Sequence, residues 1–406
     1  MELSPLIYLS IIFFAAFLTK GISGRIRIPE VTGYVLIGVI MGVSLLHILG
    51  PSVLDHLSVI STVALGIIAF IIGVELRLDV IRKLGKSILT IVFFECFAAF
   101  LVVYLLLLRF FPENPYMALL LGSVASATAP AATVAVIKQY RAKGELTSTI
   151  MAVVGIDDAM ALIIYVFASG VVKAGLTGSD AHIALIIGRT VLSIGESLLL
   201  GWAAAWLFRR FLRSSRNTEA IQLLLAAAIM ALLGLSELLG VSELLAIMTF
   251  GSLLVNTAPS LARKGASVVD NFSHLFLAAF FLLGGAHLDV RVLGQIGIMG
   301  LVYFAARSTG KIGGASLGAL IGRAPKKVRK FIGLTLLPQV GVALALALSI
   351  NKEFSQPLYG AQGAEMANYI INILLFTTII TELIGPLLTR TALKKAGEIG
   401  DRTENS

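Results

Sequence analysis

The sequence has a single cysteine, Cys96, and only five histidines, so it offers few of the ligands that transition metals prefer. One cysteine excludes an intrachain disulfide and a cysteine metal cluster. Charge is also scarce: charged residues make up 14% of the chain and hydrophobic residues 57%. Soluble domains carry about 25% charged residues, so this composition predicts a polytopic membrane protein. We expect no cofactor.

Thirteen apolar runs are long enough to cross, or nearly cross, a hydrocarbon core of about 30 Å. They lie at 5–19, 28–46, 56–76, 87–110, 115–137, 147–172, 182–208, 218–239, 241–257, 270–288, 293–321, 331–350 and 367–389. The expected fold is therefore an all-α polytopic membrane protein with thirteen transmembrane helices. An odd number of crossings places the two termini on opposite sides of the membrane.

The basic residues indicate which side each terminus occupies. Most of the 32 lysines and arginines lie in alternate loops, and the opposite loops hold only Arg109, Lys173, Arg291 and Lys352. By the positive-inside rule, this pattern predicts an N-terminus outside the cell and a cytoplasmic C-terminus. The net charge of +9 then reflects topology and contact with membrane lipid, and we expect no binding of nucleic acid.

Two halves of the chain resemble each other. Residues 69–80 and 279–290 both begin with Ala-Phe and end with Leu-Asp-Val, and Pro130 and Pro338 occupy corresponding places within apolar runs. The loop charges put Asp79 and Asp289 on opposite sides, so the repeats are inverted. Inverted repeats are typical of secondary transporters, whose sites lie at discontinuous helices near the membrane midplane. One proline alone would indicate a simple kink, whereas the matched pair predicts two crossed discontinuous helices.

Two adjacent carboxylates interrupt the apolar run 147–172. Asp157 and Asp158 lie near its middle, and ionisable groups at that depth usually mark an ion or proton pathway. Neighbouring residues on a helix point about 100° apart, so the two aspartates need different partners. Lys311, central in its own run, is the predicted cationic partner. Arg307 is always charged, and we predict that it pairs with Glu95.

The segment around Pro130 supplies oxygen ligands. A proline within a helix frees backbone carbonyls, and these carbonyls together with the Thr128 hydroxyl suit a small cation that has shed its water. The predicted breaks are at Ala129 and Pro130 in the first discontinuous helix and at Pro338 in the second. Glu382 lies toward the end of its run and is predicted to be a solvated carboxylate.

These residues together resemble a known family. The whole chain is similar to bacterial and archaeal sodium/proton antiporters of the monovalent cation:proton antiporter-2 family. The resemblance rests on the segments Gly155-Ile156-Asp157-Asp158, Thr128-Ala129-Pro130, Gly73-Val74-Glu75-Leu76-Arg77 and Gly310-Lys311.

The resemblance implies a homodimer in the cytoplasmic membrane. It implies a dimerisation domain from about 1–46 and 182–257, a mobile six-helix core domain from about 56–172 and 270–389, and a short cytoplasmic tail at 390–406. It further implies that Asp158 binds the sodium ion or a proton, and that Asp157 forms a proton-coupled salt bridge with Lys311. Such a two-aspartate site goes with electrogenic exchange.

The expected function is therefore the exchange of sodium or lithium for protons by alternating access, in the service of pH homeostasis, and the protein is not expected to be an enzyme. The main alternative is a potassium/proton antiporter, because Gln339-Val340-Gly341 replaces charged residues that some relatives carry after the second proline. Two remoter alternatives are a passive cation channel and an intramembrane aspartyl protease. The protease would need its two aspartates on separate helices rather than at adjacent positions.

Overall fold

The computed structural model describes residues 4–26, 30–79, 85–129, 133–134, 136–137, 140–177, 183–212 and 218–399. Every regular element within these ranges is a helix, which confirms the predicted all-α fold. The α-helices are α1 (Pro5–Ile26), α2 (Glu30–Met41), α3 (Pro51–His56), α4 (Ser58–Glu75), α5 (Gly85–Phe110), α6 (Pro115–Ala125), α7 (Glu145–Leu176), α8 (Ile183–Phe211), α9 (Thr218–Leu239), α10 (Glu243–Thr257), α11 (Pro259–Ala286), α12 (Val290–Ile321), α13 (Lys326–Phe331), α14 (Gly341–Phe354) and α15 (Gly360–Ala396). Two 3₁₀ segments, Ile332–Thr335 and Pro357–Tyr359, precede α14 and α15.

Within the described residues, 7 helices are long and apolar enough to cross a membrane. Shorter apolar helices occur at Glu30–Met41, Pro115–Ala125, Glu243–Thr257 and Ser273–Ala286. The chain is thus a multi-pass membrane protein by length and composition of its helices. The number of thirteen crossings stays a prediction.

Several helices extend past the apolar runs that predicted them. The first run ends at residue 19, but α1 continues to Ile26, and α11 begins at Pro259 although its run begins at 270. The added part of α11 carries Arg263 and Lys264. Hydropathy marks the residues that lie in hydrocarbon, whereas backbone hydrogen bonding carries a helix on into the polar layer. The helices are therefore longer than hydropathy alone predicts.

One compact unit combines residues from the beginning and the middle of the chain: Met1–Ile22, Tyr34–Lys83 and Tyr165–Leu288. Part of its core is an apolar cluster that includes Ile12, Met41 and Leu282. Close approach of α4 and α10 in this unit depends on Gly251, where a β-carbon would lie 2.7 Å from the Phe70 carbonyl oxygen. Any larger residue there would force the two helices apart.

The second compact unit consists of Ser23–Gly33, Leu84–Ile164 and Asp289–Ser406. Its core joins α5, α7, α12 and α15 through an apolar cluster that includes Ile91, Val153, Ala315 and Leu393. All of the predicted ion-site residues that the structure describes belong to this unit. The assignment of a core domain and a dimerisation domain, with the boundaries given above, stays a prediction.

Candidate functional site

Two helices of the second unit are interrupted. The first, α6, ends at Ala125, and residues 127–129 that follow have no helical backbone. The second interruption separates the 3₁₀ segment Ile332–Thr335 from α14, which begins at Gly341. Pro338 lies within the second interruption, as the sequence predicts. Pro130 lies outside the described residues.

The two interrupted segments contact each other directly. The Ala129 backbone N–H donates a hydrogen bond to the Pro338 carbonyl, with an N···O distance of 2.8 Å. The Thr133 hydroxyl donates to the Thr335 carbonyl at 2.9 Å. Backbone groups freed inside a membrane must find protein partners or line a wet cavity. Here each interrupted segment provides hydrogen-bond partners for backbone groups of the other, as a crossed pair of discontinuous helices requires.

Lys311, on α12, is fully buried and makes three close contacts. Its Nζ atom lies 2.6 Å from the Glu95 carboxylate on α5. It also donates to the Ser126 carbonyl at 2.5 Å and to the Thr128 hydroxyl at 2.7 Å. An ammonium has three N–H donors, so these contacts account for all of them. The lysine is thus held by one charge and by two oxygens of the first interrupted segment.

Asp157 lies on α7 beside this lysine, and Asp158 is the next residue of the same helix. Asp157 is fully buried, with its carboxylate 3.8 Å from the Lys311 Nζ atom, and Asp158 is 5% exposed. The structure therefore brings Asp157 and Lys311 together as predicted, but Glu95 is the nearer carboxylate. A cluster of carboxylates, an ammonium, a hydroxyl and a carbonyl can exchange protons or hold a monovalent cation.

Arg307 lies one helical turn before Lys311, and its partners differ from the prediction. Its guanidinium donates to the Leu337 carbonyl at 2.7 Å and to the Ala127 carbonyl at 2.8 Å, one on each interrupted segment. The predicted ion pair with Glu95 is wrong, because Glu95 pairs with Lys311 instead. The physical reason is that the carbonyls left open by the interruptions need strong donors, and a guanidinium can reach two of them at once.

The approach of α12 to α5 explains why Glu95 reaches Lys311. Gly310 and Gly314 flank the lysine, and a β-carbon at Gly310 would lie 2.8 Å from the Ala99 α-carbon. At Gly314 a β-carbon would lie 2.9 Å from the α-carbon of Glu95 itself. Glycines therefore let the two backbones come together at the level of the charges, as small residues do in membrane helix pairs.

Sequence reasoning missed the role of Gln339. This side chain is fully buried, and its Nε2 atom donates to the Tyr303 hydroxyl at 2.9 Å and to the Val124 carbonyl at 3.2 Å. It links the second interrupted segment to α12 and to the end of α6. The only signal in the sequence was an amide placed directly after Pro338 in an apolar run.

Glu382 is also placed differently from its prediction. It is 2% exposed rather than solvated, and its carboxylate accepts a hydrogen bond from the Thr32 hydroxyl at 3.2 Å. Two further threonines on the same helix, Thr378 and Thr381, are likewise buried. The repeated hydroxyl side chains near Glu382 were the available signal that this stretch of α15 faces protein.

Comparison with known proteins agrees with this architecture. The family model described as sodium/hydrogen exchanger, transmembrane, matches residues 11–395. The chain is 22% identical over 396 residues to a Na⁺/H⁺ antiporter of Enterococcus hirae, covering 95% of this chain and 97% of the relative. It is also 22% identical over 352 residues to the Na⁺/H⁺-K⁺ antiporter GerN of Bacillus cereus, covering 86% of this chain and 88% of GerN.

A solved structure shows the same fold. The sodium proton antiporter MjNhaP1 of Methanocaldococcus jannaschii superimposes with a TM-score of 0.78 at 19% sequence identity. The superposition covers 97% of this chain and 98% of that protein. The family model spans nearly the whole sequence and the fold agrees over the same extent, so the chain is a member of the transmembrane sodium/hydrogen exchanger family.

Proposed function

We propose that this protein exchanges sodium, or lithium, for protons across a membrane by alternating access. The observation that carries the proposal is the surroundings of the Lys311 ammonium: a carboxylate, a hydroxyl and a backbone carbonyl within 2.7 Å, with Asp157 at 3.8 Å. Hard cations such as sodium take the same oxygen ligands. The cluster therefore holds a positive charge that a metal cation can replace.

In this mechanism Asp158 is the residue that binds either the cation or a proton, and Asp157 is the partner that supports the charge of Lys311. A cation that enters beside the aspartates loses most of its water and takes up carboxylate oxygens, with the Thr128 hydroxyl as a further ligand. The added positive charge disfavours the neighbouring ammonium, which then releases its proton. One proton from Asp158 and one from Lys311 leave for each cation bound, so the exchange moves net charge.

Competition for the same carboxylates gives the exchange its pH dependence. At low pH protons occupy the aspartates, and the cation must displace them. Exchange should therefore be nearly silent in acid, and the sodium concentration for half-maximal rate should rise as the pH falls. No intermediate in which cation and protons share the site is needed.

The same proposal covers topology and assembly. We assign the chain to the cytoplasmic membrane of a bacterium or archaeon, with the N-terminus outside and the C-terminus in the cytoplasm, on the distribution of basic loops. Resemblance to the antiporter-2 branch supports a homodimer in which a core domain moves against a dimerisation domain. It also supports a transporter rather than an enzyme.

Potassium is the second candidate substrate. The name of GerN includes potassium as well as sodium, and Gln339 is neutral at a position where some antiporters carry charge. The two cations use the same kinds of ligand and differ in size, so the size of the cavity, rather than the type of ligand, would select between them.

Purified protein in proteoliposomes tests the proposal. We expect an imposed pH gradient to drive saturable uptake of sodium and lithium, with charge movement when the membrane potential is clamped, and weaker uptake of potassium. Flux without proton coupling would instead indicate a channel. Asp158→Ala should abolish exchange, while Asp55→Asn, which removes an exposed carboxylate on α3, should leave it unchanged. Exchange that survived in Asp158→Ala would refute the site assignment.

A further inference from the structure

The residues directly after α15 contact the start of α7, the helix that carries the aspartates. Helix α15 ends at Ala396, and the next residue, Gly397, has a φ of 72°, in the left-handed region that glycine adopts readily. The residue that follows, Glu398, then points toward the first turn of α7. Lys143, just before α7, donates its backbone N–H to the Glu398 carbonyl at 3.1 Å.

The Glu398 side chain caps α7. One carboxylate oxygen accepts the Leu146 backbone N–H at 2.7 Å, and the other accepts the Thr147 backbone N–H and the Thr147 hydroxyl, each at 2.7 Å. The first amides of a helix have no acceptor within the helix, and a residue just before the helix usually supplies one. Gly144, which precedes α7, has no side chain to do so. The cap comes instead from a residue 251 positions further along the chain than Thr147.

Two further contacts tie the same regions together. The Arg390 guanidinium on α15 lies over the ring of Tyr140, 5.1 Å from its centre. Leu393 and Ala396 share an apolar cluster with Ile150 and Val153, which lie on the turns of α7 that lead to the aspartates. The cap is therefore one part of a continuous attachment between the end of α15 and the first half of α7.

From these contacts we propose that Glu398 is a positioning residue for ion binding, which fixes the N-terminal end of α7 and through it the placement of Asp157 and Asp158. The inference rests on the proposed function of that site. Asp158 lies about three turns from the capped amides, roughly 16 Å along the helix axis. A carboxylate at the amino end also interacts favourably with the positive end of the helix dipole, so it stabilises the first turn of α7.

The test compares Glu398→Ala with two variants in the same region. Glu398→Asp keeps a carboxylate on a shorter side chain, and Glu145→Gln removes an exposed carboxylate from the same first turn without removing a capping hydrogen bond. We expect Glu398→Ala to raise the apparent KM for sodium about five- to tenfold with a smaller change in maximal rate. Glu398→Asp should recover part of that loss, and Glu145→Gln should match the unmodified protein.

A second measurement does not depend on transport. Hydrogen–deuterium exchange of the peptide that spans 143–150 should become faster in Glu398→Ala and stay unchanged in Glu145→Gln. The rise in melting temperature that sodium produces should be smaller in Glu398→Ala.

Two results would overturn the inference: an unchanged KM for sodium in Glu398→Ala despite faster amide exchange, or an equal rise in KM in Glu145→Gln. Absence of sodium-driven exchange in the unmodified protein would instead count against the proposed function, because the amide-exchange comparison could still detect the cap.

Discussion

Two cationic side chains lie one turn apart on α12, and they contact different kinds of partner. Lys311 contacts a carboxylate and lies 3.8 Å from a second one, whereas the guanidinium of Arg307 donates to two backbone carbonyls. Residues four apart share one face of a helix, so both side chains meet the crossed interruptions from the same side. Their positions are alike, but their chemistry is not.

The difference separates a group that can change charge from one that cannot. Carboxylates and an ammonium can each gain or lose a proton, so the surroundings of Lys311 are variable. A guanidinium stays charged, and backbone carbonyls keep their dipoles, so the surroundings of Arg307 are constant. We infer that Arg307 holds the crossing together while the residues around Lys311 do the exchange.

The largest expected effect comes from removing the Arg307 guanidinium. Arg307→Ala leaves the Leu337 and Ala127 carbonyls buried without a donor, at about 1–3 kcal/mol for each. We expect a marked fall in melting temperature in detergent and loss of transport. Arg307→Lys should recover little of either, because an ammonium lacks the planar fork that spans both carbonyls. Arg109→Ala, at the exposed end of α5, is the control; a stable Arg307→Ala would contradict the assigned role.

Removal of the Lys311 ammonium should affect charge movement during transport more than folding. Lys311→Gln keeps a hydrogen-bond donor for Ser126 and Thr128 but carries no proton to release. We expect the variant to fold and to lose the current that accompanies exchange, measured with protein adsorbed on a solid-supported membrane. If exchange in this variant stays fully electrogenic, Lys311 is not the second proton carrier.

Glu95→Gln tests the carboxylate that sequence reasoning assigned to the wrong cation. The amide keeps the shape of the side chain but removes the nearest negative charge from Lys311. The ammonium should then release its proton more readily, so the pH-activity curve should move toward acid. Glu113→Gln, at an exposed position, should leave the curve in place. A shift toward alkaline pH would argue that Glu95 acts on Asp157 rather than on the lysine.

The smallest expected effect is at an exposed ion pair. The Arg77 guanidinium lies 2.7 Å from the Asp79 carboxylate, and a hydrogen bond and charge from Asp79 raise the pKa of Arg77. Both side chains are about half exposed, and solvent screens such pairs. Asp79→Asn should leave the melting temperature unchanged within error. A clear decrease would show that a pair at the surface can matter as much as one inside.

Much of the architecture follows from the sequence. Apolar runs predict the helices, matched prolines predict the interruptions, and a carboxylate pair in an apolar run predicts the site. The apolar runs and the carboxylate pair are local features, because each depends on the composition of one stretch, which the membrane constrains strongly. The prolines needed a comparison of two stretches within the same sequence. The resemblance to an antiporter family is consistent with the family model and with the fold.

The partners within the site could not be predicted in the same way. Arg307 and Lys311 share a face of α12, so choosing which one meets Glu95 requires the axial register between two helices. A shift of one turn, about 5.4 Å, would bring the other of these two cations to Glu95. The carbonyls of Ser126 and Ala127 carry no side-chain signature, and the buried Glu382 carboxylate is hydrogen-bonded to Thr32, a residue distant in sequence. The register between helices, backbone carbonyl ligands and partners distant in sequence become visible only in three dimensions.

The glycines of α12 have a mechanical consequence. Gly310 and Gly314 belong to a row that continues at Gly318 and Gly322, and a β-carbon at any of the four would come within 3 Å of the backbone of α5. At these four positions the chain places no side chain of its own between itself and the backbone of α5. We therefore expect α5 and α12 to move together in the proposed exchange, with the distance between Lys311 and Glu95 nearly constant. In the proposed mechanism, transport would change the access to these charged groups and leave their spacing fixed.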